Sequence, residues 1–451
     1  MKKRIAVIML SVAVLIICMA AAMTGCKDKG NECADLVALR INNHMAEWVD
    51  SNYNFDYKGV GELNVTVPYT NYLEINDLIV SPEATATIYD DEACSSEIKE
   101  KDYYMYIDGN RTLYIKVTNG RKSHTYKINI AVKQSNLPEN VDLSAKNYEN
   151  RGGHIYIPDG EIQVDIDGKN YYVIDRLYYS DIVQIVDFNS RNFILSDDSS
   201  SSLLQNFGDS AFNGIFDGNG YKLLPRNHDR YILDPVKIKI IGEKGVIKNV
   251  VLATKDTYSN NDGEYLSGIE GSNNKISLLC DENYGIIDNV CNIVNIYDRN
   301  TKYGGANEGE YVHRVAIFAD VNRGVISNCL NKGNIYSKIS DSKIRQFSVF
   351  ANEMRGEQFD FNGSAKLVNC VNTGNLEYND EVSSGQHRSG AFVIASLADA
   401  YVQVDGVYNL GNIQSSNIKR KYSRYFASAT TACEDGKSRD VDCSKIKDYT
   451  K

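Results

Sequence analysis

Five stretches of this chain restart one pattern about every forty residues, and a fixed period of that size belongs to a chain that stacks on itself. The starts are Gly245, Gly285, Gly324, Ala365 and Val402, so the spacings are 40, 39, 41 and 37. The clearest copy reads Gly324-Val-Ile-Ser-Asn-Cys-Leu-Asn-Lys-Gly-Asn-Ile335. Counting each start as zero, position five holds Val250, Val290, Cys329, Cys370 and Val407, and position eleven holds Ile296, Ile335, Leu376 and Ile413. Apolar residues of similar volume at one offset are what an inward column of a close-packed stack needs. The residues between them alternate as strands do. Position seven is Asn292, Asn331, Asn372 and Asn409, and position ten is Asn295, Asn334, Asn375 and Asn412. Such columns predict amide ladders between rungs roughly 4.8 Å apart, and left-handed turns. Gly333, Gly374 and Gly411 support a turn beside position ten. Upstream, Leu279-Cys280, Phe318-Ala319, Phe350-Ala351 and Ile394-Ala395 form a large-small pair that recurs once per repeat and marks a third strand. The expectation is an all-β chain in which three short strands make each coil of a right-handed parallel β-helix.

The core of these repeats resembles the GLUG-type repeats of bacterial surface proteins, where Gly-x-Ile-x-Asn-Cys-x-Asn-x-Gly-x-Val recurs. Phe212-Asn-Gly-Ile-Phe-Asp-Gly-Asn-Gly-Tyr221 is similar to the segment that often precedes them. There a short helix and a strand come first, and 173–186 and Asn192-Phe-Ile-Leu195 are similar in type. The resemblance covers 173–413 and departs at Val315-Ala-Ile-Phe-Ala-Asp320, where a Gly-Gly-Ile-Val-Gly strand is usual.

The N-terminus carries an address. Lys2-Lys3-Arg4, an apolar run from Ile5 to Met23 and then Thr24-Gly25-Cys26 describe a secretory signal. With cysteine directly after Gly25 it resembles a bacterial lipoprotein signal, which implies lipidation of Cys26 and a membrane anchor facing the outside of the cell. A plain membrane span over 5–23 is the bland alternative. The formal net charge is −10, which gives nucleic acid no electrostatic hold. Export permits disulfides; Cys433 with Cys443 is the best local pair and Cys33 with Cys94 a weaker one. Cys280, Cys329 and Cys370 read as small core residues.

Between signal and repeats, Leu36, Leu39, Ile41, Met45 and Trp48 have helix-like spacing over 33–49. From Gly61 to Val132 short alternating runs separated by Asp108-Gly-Asn110 and Asn119-Gly120 predict a small antiparallel β-sandwich. Its closing stretch, 113–130, resembles the last hairpin of bacterial cadherin-like domains, which implies a spacer. The expected order is therefore signal 1–25, tether and short helix 26–55, sandwich 56–135, linker 136–172, β-helix 173–419 and tail 420–451.

Motifs for chemistry are lacking. None of the six histidines has metal-ligand spacing, and there is neither a Cys-x-x-Cys pair nor a Gly-x-Ser-x-Gly elbow. No catalytic residue, metal or cofactor is expected. Asp217 could be tested as the carboxylate of a polysaccharide-active β-helix, but a turn aspartate is the simpler reading. Binding has better footing. Segments 297–313, 336–346 and 377–389 leave each coil at the same place, so stacking brings them to one edge. They carry Tyr297, Arg299, Tyr303, Tyr311, His313, Tyr336, Arg345, Tyr378, His387 and Arg388. Tyrosines beside long polar side chains suit glycan or protein contacts; ordinary solvated loops are the bland reading. The expected protein is a non-enzymatic, lipid-anchored surface protein for adhesion or glycan binding. A polysaccharide lyase or glycoside hydrolase, and a structural envelope component, are the alternatives.

Overall fold

A computed structural model describes residues 33–49, 61–68, 72–99, 103–133, 150–151, 154–155, 163–166, 168–174, 188–195, 198–200, 210–224, 238–253, 266–267, 275–298, 312–337, 344–356, 365–378, 390–398, 402–415, 426–428, 430–432, 438–440 and 446–450. Apart from a 3-10 turn at Phe188–Ser190, the regular elements among them are all β-strands. Antiparallel sheets come first and large parallel sheets follow. Cys18, Cys26, Cys433 and Cys443, and the 175–186 part of the expected helix, lie outside the described residues.

In the antiparallel unit, Leu36–Ile41, His44–Met45, Tyr72–Val80 and Tyr104–Tyr106 make one sheet. Glu47–Trp48, Gly61–Val67, Thr85–Tyr89, Glu97–Ile98, Arg111–Asn119 and Lys122–Val132 make a second, antiparallel except where Gly61–Val67 runs parallel to Lys122–Val132. The expected closing hairpin is present, in register from Lys122↔Asn119 to Ile130↔Arg111. Both sheets contribute to one core that includes Leu39, Ile41, Val65, Leu73, Ile115 and Ile128. Residues 33–49, expected as a helix, are strands of this unit. The error has a physical cause. Leu36–Ile41 is buried at every position, so, Arg40 apart, both its faces are apolar and its periodicity cannot be told from a helix. Cys33 and Cys94 are both free. Cys33 lies beside Ser81 and Asn119, whereas Cys94 turns beyond the far end of Thr85–Tyr89, so a five-residue strand, roughly 16 Å long, separates them.

The parallel region repeats one circuit. Lys275–Ser277, Cys280–Asn283, Ile286–Asn292 and Ile296–Asp298 lie in four different sheets. Val312–Ala316, Ala319–Asn322, Val325–Ser327 with Leu330–Asn331, and Ile335–Ser337 then visit the same four in the same order. Circuits from Ile344 and Gly390 do so again. Each circuit thus has four strands rather than the expected three. The large-small pair marks a corner between two of them, with Leu279, Phe318, Phe350 and Ile394 wholly buried there.

Equal offsets do pair. Val250 faces Val290, Cys370 faces Val407, and Ile296, Ile335, Leu376 and Ile413 follow one another in register. All are core residues. Burial pushes the Cys329 thiol well up, as an inert core cysteine requires. At position seven each amide donates to the next: Asn292 to Asn331 at 2.9 Å, Asn331 to Asn372 at 2.7 Å, and Asn372 to Asn409 at 2.8 Å. At position ten the side-chain oxygens of Asn295, Asn334 and Asn375 accept the backbone N–H of the next circuit, and Asn334 Nδ2 also donates to Asn295 Oδ1 at 3.2 Å.

Left-handed backbone sits at neither column. It falls at position four, where Asn249, Asn289, Asn328 and Asn369 have φ between 49° and 56° and Gly406 has 67°. A left-handed residue there interrupts the two-residue alternation, so positions two and five both face inward. Ile287 and Val290, three apart, are accordingly both buried.

The two units meet along a seam. Position six of the repeats (Val251, Cys291, Leu330, Val371 and Tyr408) packs against Val37, Ala38 and Met45. The amide of Asn289 ties the Asn42–Asn43 turn down, accepting Met45 N–H at 2.9 Å, and Asn43 Nδ2 donates to the Gly220 carbonyl at 2.9 Å. Asp77, paired with buried Arg40 at 3.1 Å, also takes Lys332; Asp35 takes Lys447 and the Tyr449 hydroxyl. The antiparallel unit therefore lies against the flank of the parallel one, where a spacer was expected.

His44 makes this seam sensitive to acid. Burial lowers its pKa to about 4, a carbonyl bond to Asn42 and the Asp217 carboxylate opposing that, with Arg40 and Lys248 adding to it. The imidazole is thus neutral when docked. The unfolded chain takes up a proton from its ordinary 6.5 downward, the docked one only near 4. Stability from this group is full above pH 6.5 and falls between 6.5 and 4, by about 3 kcal/mol at the lower end. Urea midpoints measured across that range are expected to drop more steeply for the native chain than for His44→Gln; parallel curves would show that His44 contributes nothing.

Candidate functional site

The expected binding edge lies where each circuit passes from its last strand to the first strand of the next. Tyr297 pairs with Tyr336, Ser337 with Tyr378, and His313 with Arg345. Five of the ten proposed residues therefore stand on strands that flank one edge, circuit above circuit. Tyr336 is half-buried. Arg299, Tyr303, Tyr311, His387 and Arg388 lie outside the described residues.

A second feature lies at another corner. A cleft of about 740 Å³ is lined by Ser190, Asn213, Ile240, Glu243, Lys244 and Tyr284, among others. The Tyr284 hydroxyl donates to Glu282 at 2.7 Å, and the guanidinium of Arg323, one circuit on, lies 5.4 Å from the ring centre. Arg355 holds the equivalent backbone place one circuit further on, its backbone N–H reaching the Asn322 carbonyl as that of Arg323 reaches Asn283, and its guanidinium pairs with Glu353. Burial and the Glu282 carboxylate raise the Tyr284 pKa, so the phenol stays protonated and can donate. A mixed stripe of Lys244, Tyr284, Arg323 and Arg355 thus climbs one corner, with Glu282 and Glu353 alongside. It offers donors, acceptors and one aromatic face at rung spacing. A signal was present: Lys244, Tyr284 and Arg323 each precede a repeat-start glycine.

Asp217 occupies a turn. It accepts Asn219 N–H at 2.9 Å and the Asn249 amide at 2.9 Å, and pairs with Lys248 at 3.1 Å. Among the described residues no three His, Cys, Asp or Glu side chains converge as a metal site. Nor, among them, is any helix long and apolar enough to cross a membrane. The chain matches no family model, no curated protein and no solved structure.

Proposed function

We propose that this is an exported, lipid-anchored surface protein whose parallel region is a right-handed β-helix presenting an edge of segments for adhesion or glycan binding. One observation carries the reading: strands one repeat apart pair in register, so whatever joins the circuits repeats along one side. A crossover between parallel strands of one sheet is right-handed almost without exception, which supports the hand. The two facing antiparallel sheets support a β-sandwich of the cadherin-like kind, and the GLUG-like repeat core supports a bacterial surface setting. The Lys2–Cys26 segment supports lipidation at Cys26 and an outward-facing membrane anchor.

The purified full chain, incubated with immobilised glycans with and without calcium, is expected to be retained without cutting them. Tyr297→Ala with Tyr336→Ala is expected to weaken retention at least tenfold. Chain scission would replace this reading with the polysaccharide-active enzyme, and neither retention nor scission with a structural envelope component. Cys26→Ser is expected to abolish incorporation of labelled fatty acid in a bacterial host; undiminished labelling would remove the anchor.

A further inference from the structure

The antiparallel unit carries an aromatic surface that its core does not explain. Tyr72–Val80 and Tyr104–Tyr106 pair with Tyr72 opposite Tyr106, Leu73 opposite Met105 and Glu74 opposite Tyr104. Leu73 is wholly buried, and Met105 packs against the same core. Strand alternation therefore turns Tyr72, Glu74, Tyr104 and Tyr106 to the other face. There the tyrosines are 47%, 63% and 63% exposed, whereas most large apolar side chains among the described residues are buried. The three rings form one group. Tyr72 stacks on Tyr104 with centroids 5.1 Å apart and planes 11° from parallel, and meets Tyr106 edge-on at 5.9 Å.

This surface is anchored through its backbone and carries no net positive charge. Asn42 clamps its base, donating to the Tyr72 carbonyl at 3.0 Å and accepting the Glu74 N–H at 2.6 Å, and the same turn is pinned to the parallel region through Asn43. Arg111 reaches the Tyr106 carbonyl and pairs with Asp90 at 2.8 Å. Among the described residues this surface thus carries one neutralised pair and the Glu74 carboxylate, with exposed Asp108 two residues beyond Tyr106. A polyanion finds no net positive charge here, in a chain whose formal charge is already −10. A neutral pyranoside meets what the surface offers. Its C–H face packs on ring faces, and its hydroxyls find phenol tips and a carboxylate acceptor.

We infer that Tyr72, Tyr104 and Tyr106, with Glu74, form a platform that binds neutral glycan. The inference rests on the surface-binding reading above but places a second contact on the antiparallel unit. It is tested by calorimetric titration of the full chain with hexasaccharides of β-1,4-linked glucose, mannose and N-acetylglucosamine, with hexagalacturonate as the anionic probe. At least one neutral oligomer is expected to bind, hexagalacturonate more weakly. The double variant Tyr104→Ala, Tyr106→Ala should lose at least tenfold in affinity at an unchanged melting temperature, because both side chains are exposed. The variant Tyr104→Phe, Tyr106→Phe keeps the rings and should keep most of the binding. Equal binding by the alanine variant overturns the platform; if Tyr297→Ala with Tyr336→Ala weakens that binding, the β-helix edge stands without it. Tighter binding of hexagalacturonate, no neutral binding at all, or self-association in sedimentation that the alanine variant abolishes also overturns it.

Discussion

Asn331→Leu is expected to destabilise the parallel region by about 4 kcal/mol. Its amide is wholly buried and makes four bonds: it accepts from Asn292 Nδ2 and Gly333 N–H, and donates to the Gly333 carbonyl and Asn372 Oδ1. Leucine has the same number of side-chain heavy atoms but leaves those partners unpaired out of water, at roughly 1–3 kcal/mol for each group stranded. The loss is shared between circuits, since Asn292 and Asn372 belong to the neighbours on either side. Asn334→Ala provides the contrast. That amide is half-exposed; its oxygen accepts from Asn375 N–H and its Nδ2 donates only a long bond, 3.2 Å, to Asn295 Oδ1, and water can replace both, so its loss should cost about 1 kcal/mol. Urea unfolding of the two variants measures the difference; equal costs would mean that burial of the position-seven ladder is irrelevant.

Gly374→Val is expected to cost about 3 kcal/mol or more, through overlap rather than lost bonding. A Cβ on Gly374 would collide with the Gly333 carbonyl oxygen, one on Gly333 with that of Val294, and one on Gly411 with that of Gly374. Each neighbour is backbone, and yields only by lifting one circuit off another. None of the three is left-handed, so the turn expected at these glycines is not why they are glycine. Hydrogen exchange of the Leu376 and Ile335 amides, which bond to the Asn412 and Asn375 carbonyls, should accelerate in the variant. Unchanged protection would show that the stack absorbs a side chain there.

These two substitutions mark how far the chain could be read before folding. The inward columns at positions five and eleven, and both asparagine ladders, were legible because they recur at one offset. The left-handed column was equally periodic, Asn289, Asn328 and Asn369 followed by Gly406, but strand alternation concealed it. The fourth strand was missed because Val312–Ala316 and Ala319–Asn322 are joined by two apolar residues, Ile317 and Phe318, with no turn residue between them. The binding edge was legible in part, since segments at one offset must share a side. The cleft corner was not, because Ser190 and Asn213 reach it from outside the repeats.

By itself, then, the sequence determined that the repeat region is built of strands and which residues stack on which, since a repeat acts on its nearest copies through short-range pairing. Tertiary structure alone decided that Leu36–Ile41 is a strand, that its unit leans on position six, and that three tyrosines stay outside. Those outcomes depend on contacts such as Met45 with Asn289, between segments that share no period. Burial on both faces is a property of what the strand meets, and that partner lies more than two hundred residues away.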